Sequence, residues 1–235
     1  MIGPAAAPAT VRVPEASTDE RAGHTMIEID KHIKVIPVGM LETNCVLIKN
    51  PASNILYVID PGGEPQKILR KIAEFEGVSA IRIVLTHAHF DHISGAGQVA
   101  QAMNLDRVYV GKKDIPLYLS PDNAYPPYFP PAENLPEPDN SFPEDEGLII
   151  IPCPGHTPGG VSFYFKELNT VAAGDTLFYC GIGRTDFPGG NYDEITDSIR
   201  NRLYHLPDET RVIAGHGSDT TIGFEKKHNH YIPAL

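Results

Sequence analysis

Apolar and β-branched residues cluster in short runs at 32–37 (HIKVIP), 44–49 (NCVLIK) and 55–60 (ILYVID), each bounded by polar or turn-forming residues. Such runs predict three successive strands, and Asn50, Pro51 and Ser53 between the last two predict a tight turn and an antiparallel sheet edge. Over 64–76 the period changes: Ile68, Leu69, Ile72 and Phe75 recur at helical spacing. Residues 81–86 then form a buried strand, followed by a helix over 95–103 and a strand over 107–111. A second series opens with strands at 148–152, 161–165 and 170–173, then a helix over 192–206 and a last strand at 211–214. Two halves, each opening with strands and ending in strand-helix units, mark an α/β chain. Between them, 121–146 is crowded with Pro, Asn, Glu and Asp and predicts no regular structure. That stretch reads either as a surface connection or as a binding loop whose Tyr125, Tyr128 and Phe129 wall a pocket.

Composition narrows the function. A chain of 235 residues with 41% hydrophobic content can bury one ordinary core, and we read 26–235 as that domain. Residues 1–25, rich in Ala and Pro and lacking a basic start and apolar centre, read as a disordered N-terminal extension. No apolar stretch approaches the roughly 20 residues that span a bilayer, so no membrane partner is expected. The formal charge of −11, with no basic stripe, excludes a general nucleic-acid surface. An anionic ligand would need a local positive site, built from bound metal or a few placed Lys or Arg residues. Cys45, Cys153 and Cys180 are odd in number and form no C-x-x-C pair, which points to a reducing, cytoplasmic setting. Cys45 and Cys153 lie in apolar runs and read as packing residues.

The chemistry is concentrated in Thr86-His87-Ala88-His89-Phe90-Asp91-His92, which leaves the end of a predicted strand. In such a loop His87 and His89 converge on one ion while Asp91 and His92 face a neighbouring one. Imidazoles with a carboxylate suit zinc, iron or manganese, and no thiol cluster suggests a structural Cys-rich site. His156 in PGHTPGG, Asp175 in AAGDT and His216 in AGHG each follow a predicted strand in a Gly-flanked turn. Glycine there permits the tight turn that aims a ligand out of a strand end. Asp60, closing a strand in VIDPGG, is a candidate to accept the free N–H of a metal-bound imidazole, or else is a turn former. Thr86 belongs to the same support or is simply a β-branched strand residue. His24, His32, His205, His228 and His230 have no partner at comparable spacing.

An HxHxDH run followed by His, Asp and His in this order and context resembles the metallo-β-lactamase-fold superfamily over residues 32–235. The resemblance implies an α/β, four-layer αβ/βα sandwich: two mixed sheets flanked by helices, with a metal site at one edge between them. It implies two divalent transition-metal ions, zinc first, with iron or manganese as alternatives. One ion would be held by His87, His89 and His156, the other by Asp91, His92 and His216, with Asp175 bridging. Asp91 and Asp175 would be the catalytic carboxylates that orient the nucleophile.

Within that superfamily, GIGRTDFPGGN at 181–191 and the later GHGSDTTIGFEKKHN resemble the short, single-domain glyoxalase II-like enzymes, hydroxyacylglutathione hydrolase-like in activity. The resemblance implies hydrolysis of a small-molecule thioester, a glutathione conjugate such as lactoylglutathione, by metal-activated hydroxide. Arg184 matches a basic residue that holds glutathione in that family, and its alternative is a surface ion pair with Asp186. Asp186 stands where an aromatic contact residue is found. With only 19 residues after His216, no helical C-terminal domain is expected. Lys226 and Lys227 would then partly replace its basic contacts, or form a solvated helix face. Asp175 weighs against a β-lactamase, His89 in place of Glu against a flavodiiron protein, and the charge against a ribonuclease. The main rival is a mononuclear iron persulfide dioxygenase, which shares THxHxDH, PGHT and a GRTDF segment; His92 and His216 favour the hydrolase. Hydrolysis of another ester or lactone, and a non-catalytic metal scaffold, are lesser alternatives.

Overall fold

A computed structural model describes residues 29–233 except 122, 125, 128 and 129. The expected extension at 1–25, His24, Tyr125, Tyr128 and Phe129 lie outside the described residues. A single turn, α1 (Ile29–His32), leads into β1 (Ile33–Val38), β2 (Thr43–Lys49) and β3 (Ile55–Ile59), which pair antiparallel in that order. After α2 (Pro65–Ile72), β4 (Ala80–Val84) joins β3 in parallel. The run leaving β4 turns through α3 (Phe90–Ile93) into α4 (Ala96–Met103), and β5 (Arg107–Tyr109) follows. Next come α5 (Ile115–Leu119) and β6 (Glu137–Asp139), which closes a six-stranded mixed sheet of order β1-β2-β3-β4-β5-β6.

The second half supplies β7 (Leu148–Pro152), β8 (Val161–Phe165), β9 (Thr170–Gly174), the small β10 (Leu177–Phe178) and β11 (Gly181–Ile182) hairpin, and α6 (Tyr192–Asn201). It ends with β12 (Arg211–Ala214), β13 (Thr220–Thr221) and α7 (Ile222–His228). Its five-stranded sheet runs β13-β12-β9-β8-β7, with β9 and β12 parallel and the other neighbours antiparallel.

Strand alternation dictates the layers. In β3, Tyr57 and Ile59 face the second sheet, against Phe163 and Phe165 of β8, while Leu56 and Val58 face Ile68, Ile72 and Val99 of the helices. On the far side, Val171 and Val212 pack under Ile195 and Ile199 of α6. Both faces of each sheet are therefore covered, which is why the sequence shows continuous apolar runs instead of alternating ones. The result is the expected αβ/βα sandwich of two mixed sheets flanked by helices. Among the described residues, no helix is long and apolar enough to cross a membrane.

Three elements depart from the reading of the sequence. The stretch 121–146 contains a strand, β6, whose pairing with β5 uses backbone groups and needs no hydrophobic pattern. The helix expected over 192–206 stops at Asn201: Arg202 leaves helical geometry at φ −131°, and a 3₁₀ turn, Leu203–His205, replaces the last part. The helix expected over 64–76 is shorter, Pro65–Ile72, with Pro65 in its first turn.

Candidate metal centre

All the strands that feed the site end at the same edge of the sandwich. The β4 strand ends into 86–92, β9 into Asp175 and β12 into His216, while His156 sits in the β7–β8 connection. Asp60, at the end of β3, adopts a left-handed backbone (φ 51°) that few non-Gly residues occupy. That strain aims its carboxylate across the loop. Oδ1 accepts the Thr86 N–H at 2.7 Å, and Oδ2 accepts the Thr86 hydroxyl at 2.6 Å and His92 Nδ1 at 2.9 Å.

These contacts set the tautomers. Because the Thr86 hydroxyl donates to Asp60, its oxygen is left to accept from His87 Nδ1 at 3.1 Å. His156 Nδ1 donates to the Arg184 carbonyl at 2.7 Å and His216 Nδ1 to the Leu41 carbonyl at 2.9 Å. Four imidazoles thus have Nδ1 committed, which leaves Nε2 as the ring atom available to a metal. His89 is turned the other way, with Nδ1 2.9 Å from His156 Nε2.

Two groups of donors result, His87 with His89 and His156, and Asp91 with His92 and His216, the ligand atoms of each lying within 4.8 Å of one another. Asp175 stands between them: Oδ1 is 3.4 Å from His92 Nε2, and Oδ2 is 3.6 Å from His156 Nε2 and 3.7 Å from His216 Nε2. A third grouping, Asp60 with His87 and His92, also meets the distance test. Its carboxylate is already filled by three donors, so we read Asp60 as support. Buried His87 Nε2, His92 Nε2 and Asp175 Oδ1 have no hydrogen-bond partner. Buried polar atoms are rarely left so, and these fit a pair of cations. The His and Asp groups thus form a site able to hold two metal ions.

Electrostatics agree. Burial, reinforced by the neighbouring imidazoles, pushes His87 well below the usual histidine range and takes His89 down to about 4, so both are neutral donors. Burial acts the same way on His92, but Asp91, Asp175 and Asp60 outweigh it and hold that ring well above its ordinary value. Burial would raise the two carboxylates; His92 and His216 at Asp91, and His92 and His156 at Asp175, lower both instead.

Some supporting residues carried no signal in the sequence. Asp114, fully buried after β5, accepts from the Thr157 hydroxyl at 2.7 Å, Gly159 N at 2.6 Å and Ala88 N at 3.2 Å. It therefore ties the His87–His92 loop to the His156 loop. The Thr43 hydroxyl donates to Asp91 Oδ2 at 3.0 Å, and Asn44 Nδ2 donates to the Ala214 and Gly217 carbonyls, each at 3.0 Å. These two join the first sheet to the His216 turn, where a Cβ at Gly215 would lie 2.0 Å from Asp175 Oδ1.

The family model described as "Metallo-beta-lactamase superfamily" matches residues 38–216. The chain belongs to that superfamily. As a superfamily metallo-hydrolase it is 37% identical over 210 residues to hydroxyacylglutathione hydrolase GloC of Haemophilus influenzae, covering 86% of this chain and 98% of that one. The BLEG-1 B3 metallo-beta-lactamase superposes with a TM-score of 0.74 at 31% identity, covering 85% of this chain and 99% of its own. TTHA1623, in a di-iron-bound form, gives 0.73 at 35% identity, covering 85% and 100%.

In this superfamily member a cavity of about 700 Å³ opens over the donors, lined by His89, Asp91, His156, Asp175 and His216. Arg184 lines it too, its Nε and Nη2 each 2.7 Å from an Asp186 carboxylate oxygen and its guanidinium 3.9 Å from the Phe187 ring centre. Phe187 in turn meets His89 edge-on at 5.5 Å. Lys226 and Lys227 are not among the lining residues, and Lys226 is paired with Asp208 at 2.6 Å. The basic pair lies on α7 and not in the cavity.

Proposed function

We propose that the chain is a dinuclear metal-dependent thioester hydrolase of the hydroxyacylglutathione type. The observation that carries this reading is Asp175, placed between two donor sets at the floor of a ligand-sized cavity whose rim carries Arg184. The 37% identity to GloC supports the substrate class. His87, His89 and His156 would hold one ion, Asp91, His92 and His216 the other, and Asp175 both. Imidazoles with carboxylates favour zinc, and the di-iron-bound TTHA1623 makes iron the metal to test beside it.

Bound at this site, the ions would supply acidification of a water toward neutral pH and positive charge for the oxygen that becomes anionic. The protein's own groups do the rest. Asp175 and Asp91 orient the attacking water, Asp91 being fixed by the Thr43 hydroxyl. Arg184, propped on Phe187, holds the thiol-bearing half, whose carboxylate would share the guanidinium with Asp186. Attack forms the new C–O bond, the C–S bond breaks, and the thiol leaves as a thiolate. Its free pKa of about 8.5 makes a strong general acid unnecessary.

The test is steady-state hydrolysis of lactoylglutathione and simple thioesters by protein loaded with zinc, iron or manganese, with a chelated control. Turnover above the control is expected. Absence of turnover with every metal, together with oxygen uptake on glutathione persulfide, would replace the proposal with dioxygenase chemistry; cleavage of a β-lactam alone would replace it with the BLEG-1 activity.

A further inference from the structure

We propose that the cavity selects thioesters with an apolar acyl group of several carbons, seated against Leu41, Phe90 and Leu117; this rests on thioester hydrolysis at the same site. The two flanks of the metal centre differ in chemistry. On the His89 and His156 flank stand Arg184, whose carbonyl holds His156, and Phe187. On the Asp91 and His216 flank stands the β1–β2 connection, where the Leu41 carbonyl holds His216 and Thr43 holds Asp91.

Among the described residues, the second flank carries no charged side chain into the cavity beyond the metal donors. Leu41 lines the cavity there, and Phe90, Leu117, Pro121, Ala124 and Pro126 supply further apolar lining of the same cavity. Leu41 remains 46% exposed and the adjacent Met40 80% exposed, so a short surface turn holds two large apolar side chains in water. Such a lip gains most from a ligand that covers it.

With the thiol-bearing half at Arg184 and the scissile carbonyl over Asp175, the acyl chain is directed to the Leu41 flank. A lactoyl group offers one methyl and a hydroxyl, which leave most of that wall uncovered and the hydroxyl without a partner there. A longer alkyl or aryl group covers it, with a gain in kcat/KM of about fourfold for each methylene taken from water.

The experiment compares acetyl-, lactoyl-, butyryl-, hexanoyl- and phenylacetyl-glutathione with the metal-loaded full chain. The expected result is a kcat/KM that rises about tenfold from acetyl to butyryl, two methylenes discounted for partial burial, and continues to hexanoyl. Leu41→Ser, at a half-exposed position that folding tolerates, should lower kcat/KM for hexanoyl at least fivefold more than for acetyl. A flat series with lactoyl preferred overturns this inference and leaves the hydrolase reading standing, as does an equal loss for all acyl groups in Leu41→Ser. Failure to cleave any member overturns both.

Discussion

Replacing Asp60 with Asn tests whether the outer contacts set the ligands. Asn tolerates the left-handed backbone at 60 and keeps the side-chain shape, so the change falls on hydrogen-bond polarity. Its oxygen can still accept the Thr86 N–H, now made to Oδ1 at 2.7 Å. Its amide N–H would replace Oδ2, facing the Thr86 hydroxyl and His92 Nδ1, which stand at 2.6 and 2.9 Å. His92 would then accept at Nδ1 and move its proton to Nε2, the metal-facing atom. Thr86, now accepting from the amide, would turn its hydroxyl hydrogen toward His87 Nδ1 and push that ring to the same wrong tautomer. One ligand in each donor set is thereby blocked. Loss of such a partner weakens metal binding about 10- to 100-fold, or about 1.4–2.7 kcal/mol. Chelator competition with metal analysis should show both ions released at lower chelator activity, while the metal-free variant still melts cooperatively. Unchanged affinity for both ions with only a lower melting temperature would refute the tautomer argument and leave Asp60 as a turn former.

Asp114→Ala should be costly for a different reason: three buried donors, from Thr157, Gly159 and Ala88, lose their acceptor at once. At about 1 kcal/mol or more for each unsatisfied group, a loss of at least about 3 kcal/mol is expected in denaturant titrations, and a loss under 1 kcal/mol would show that the two ligand loops are held otherwise. His89→Ala should abolish turnover while the circular dichroism spectrum stays native. Chelation of the unmodified protein should lower its melting temperature, by the equivalent of about 4 kcal/mol where free metal had stood at 1,000 times Kd, without unfolding it at room temperature. Global unfolding on mild chelation would favour a metal-stabilised scaffold.

What the sequence made legible follows from burial. Strands β2, β3, β8 and β9 are covered on both faces, so they are written as unbroken apolar runs that period and length identify. The candidate ligands are legible because they follow strands β4, β7, β9 and β12, the first four as a dense HxHxDH run and His156, Asp175 and His216 in turns whose glycines are themselves a signal. By contrast β6 is Glu-Pro-Asp, an edge strand held by backbone pairing and by an Asp139–Arg107 ion pair to β5, and no apolar pattern announces it. Asp114 is equally silent: its partners lie 26 residues earlier and 43 to 45 later, a relation that only the folded chain creates. Pro121, Ala124 and Pro126 of the cavity wall come from the stretch read as a surface connection or a binding loop, whereas Leu41 and Leu117, from a surface turn and a short helix, were hidden for the same reason as Asp114.

The division of the ligands between the two halves explains why the site lies where it does. His87, His89, Asp91 and His92 leave the first sheet, while His156, Asp175 and His216 belong to the second. The sheets share a packed core, but at this edge they also exchange backbone contacts: Asn44 N donates to the Gly215 carbonyl at 2.7 Å, Val161 N donates to the Thr86 carbonyl at 2.8 Å, and Thr43 bridges His216. Both halves are thus fixed relative to each other before any ion arrives. Preorganisation of this kind matters for a centre that must bring two cations close together, because like-charge repulsion is offset only by carboxylates already in place. Asp91 and Asp175 supply that charge, one from each sheet, and neither half alone carries a complete three-residue donor set for both ions. The site is therefore a property of the seam, and substitutions that loosen it, at Asn44 and at Asp114, should weaken metal binding along with stability.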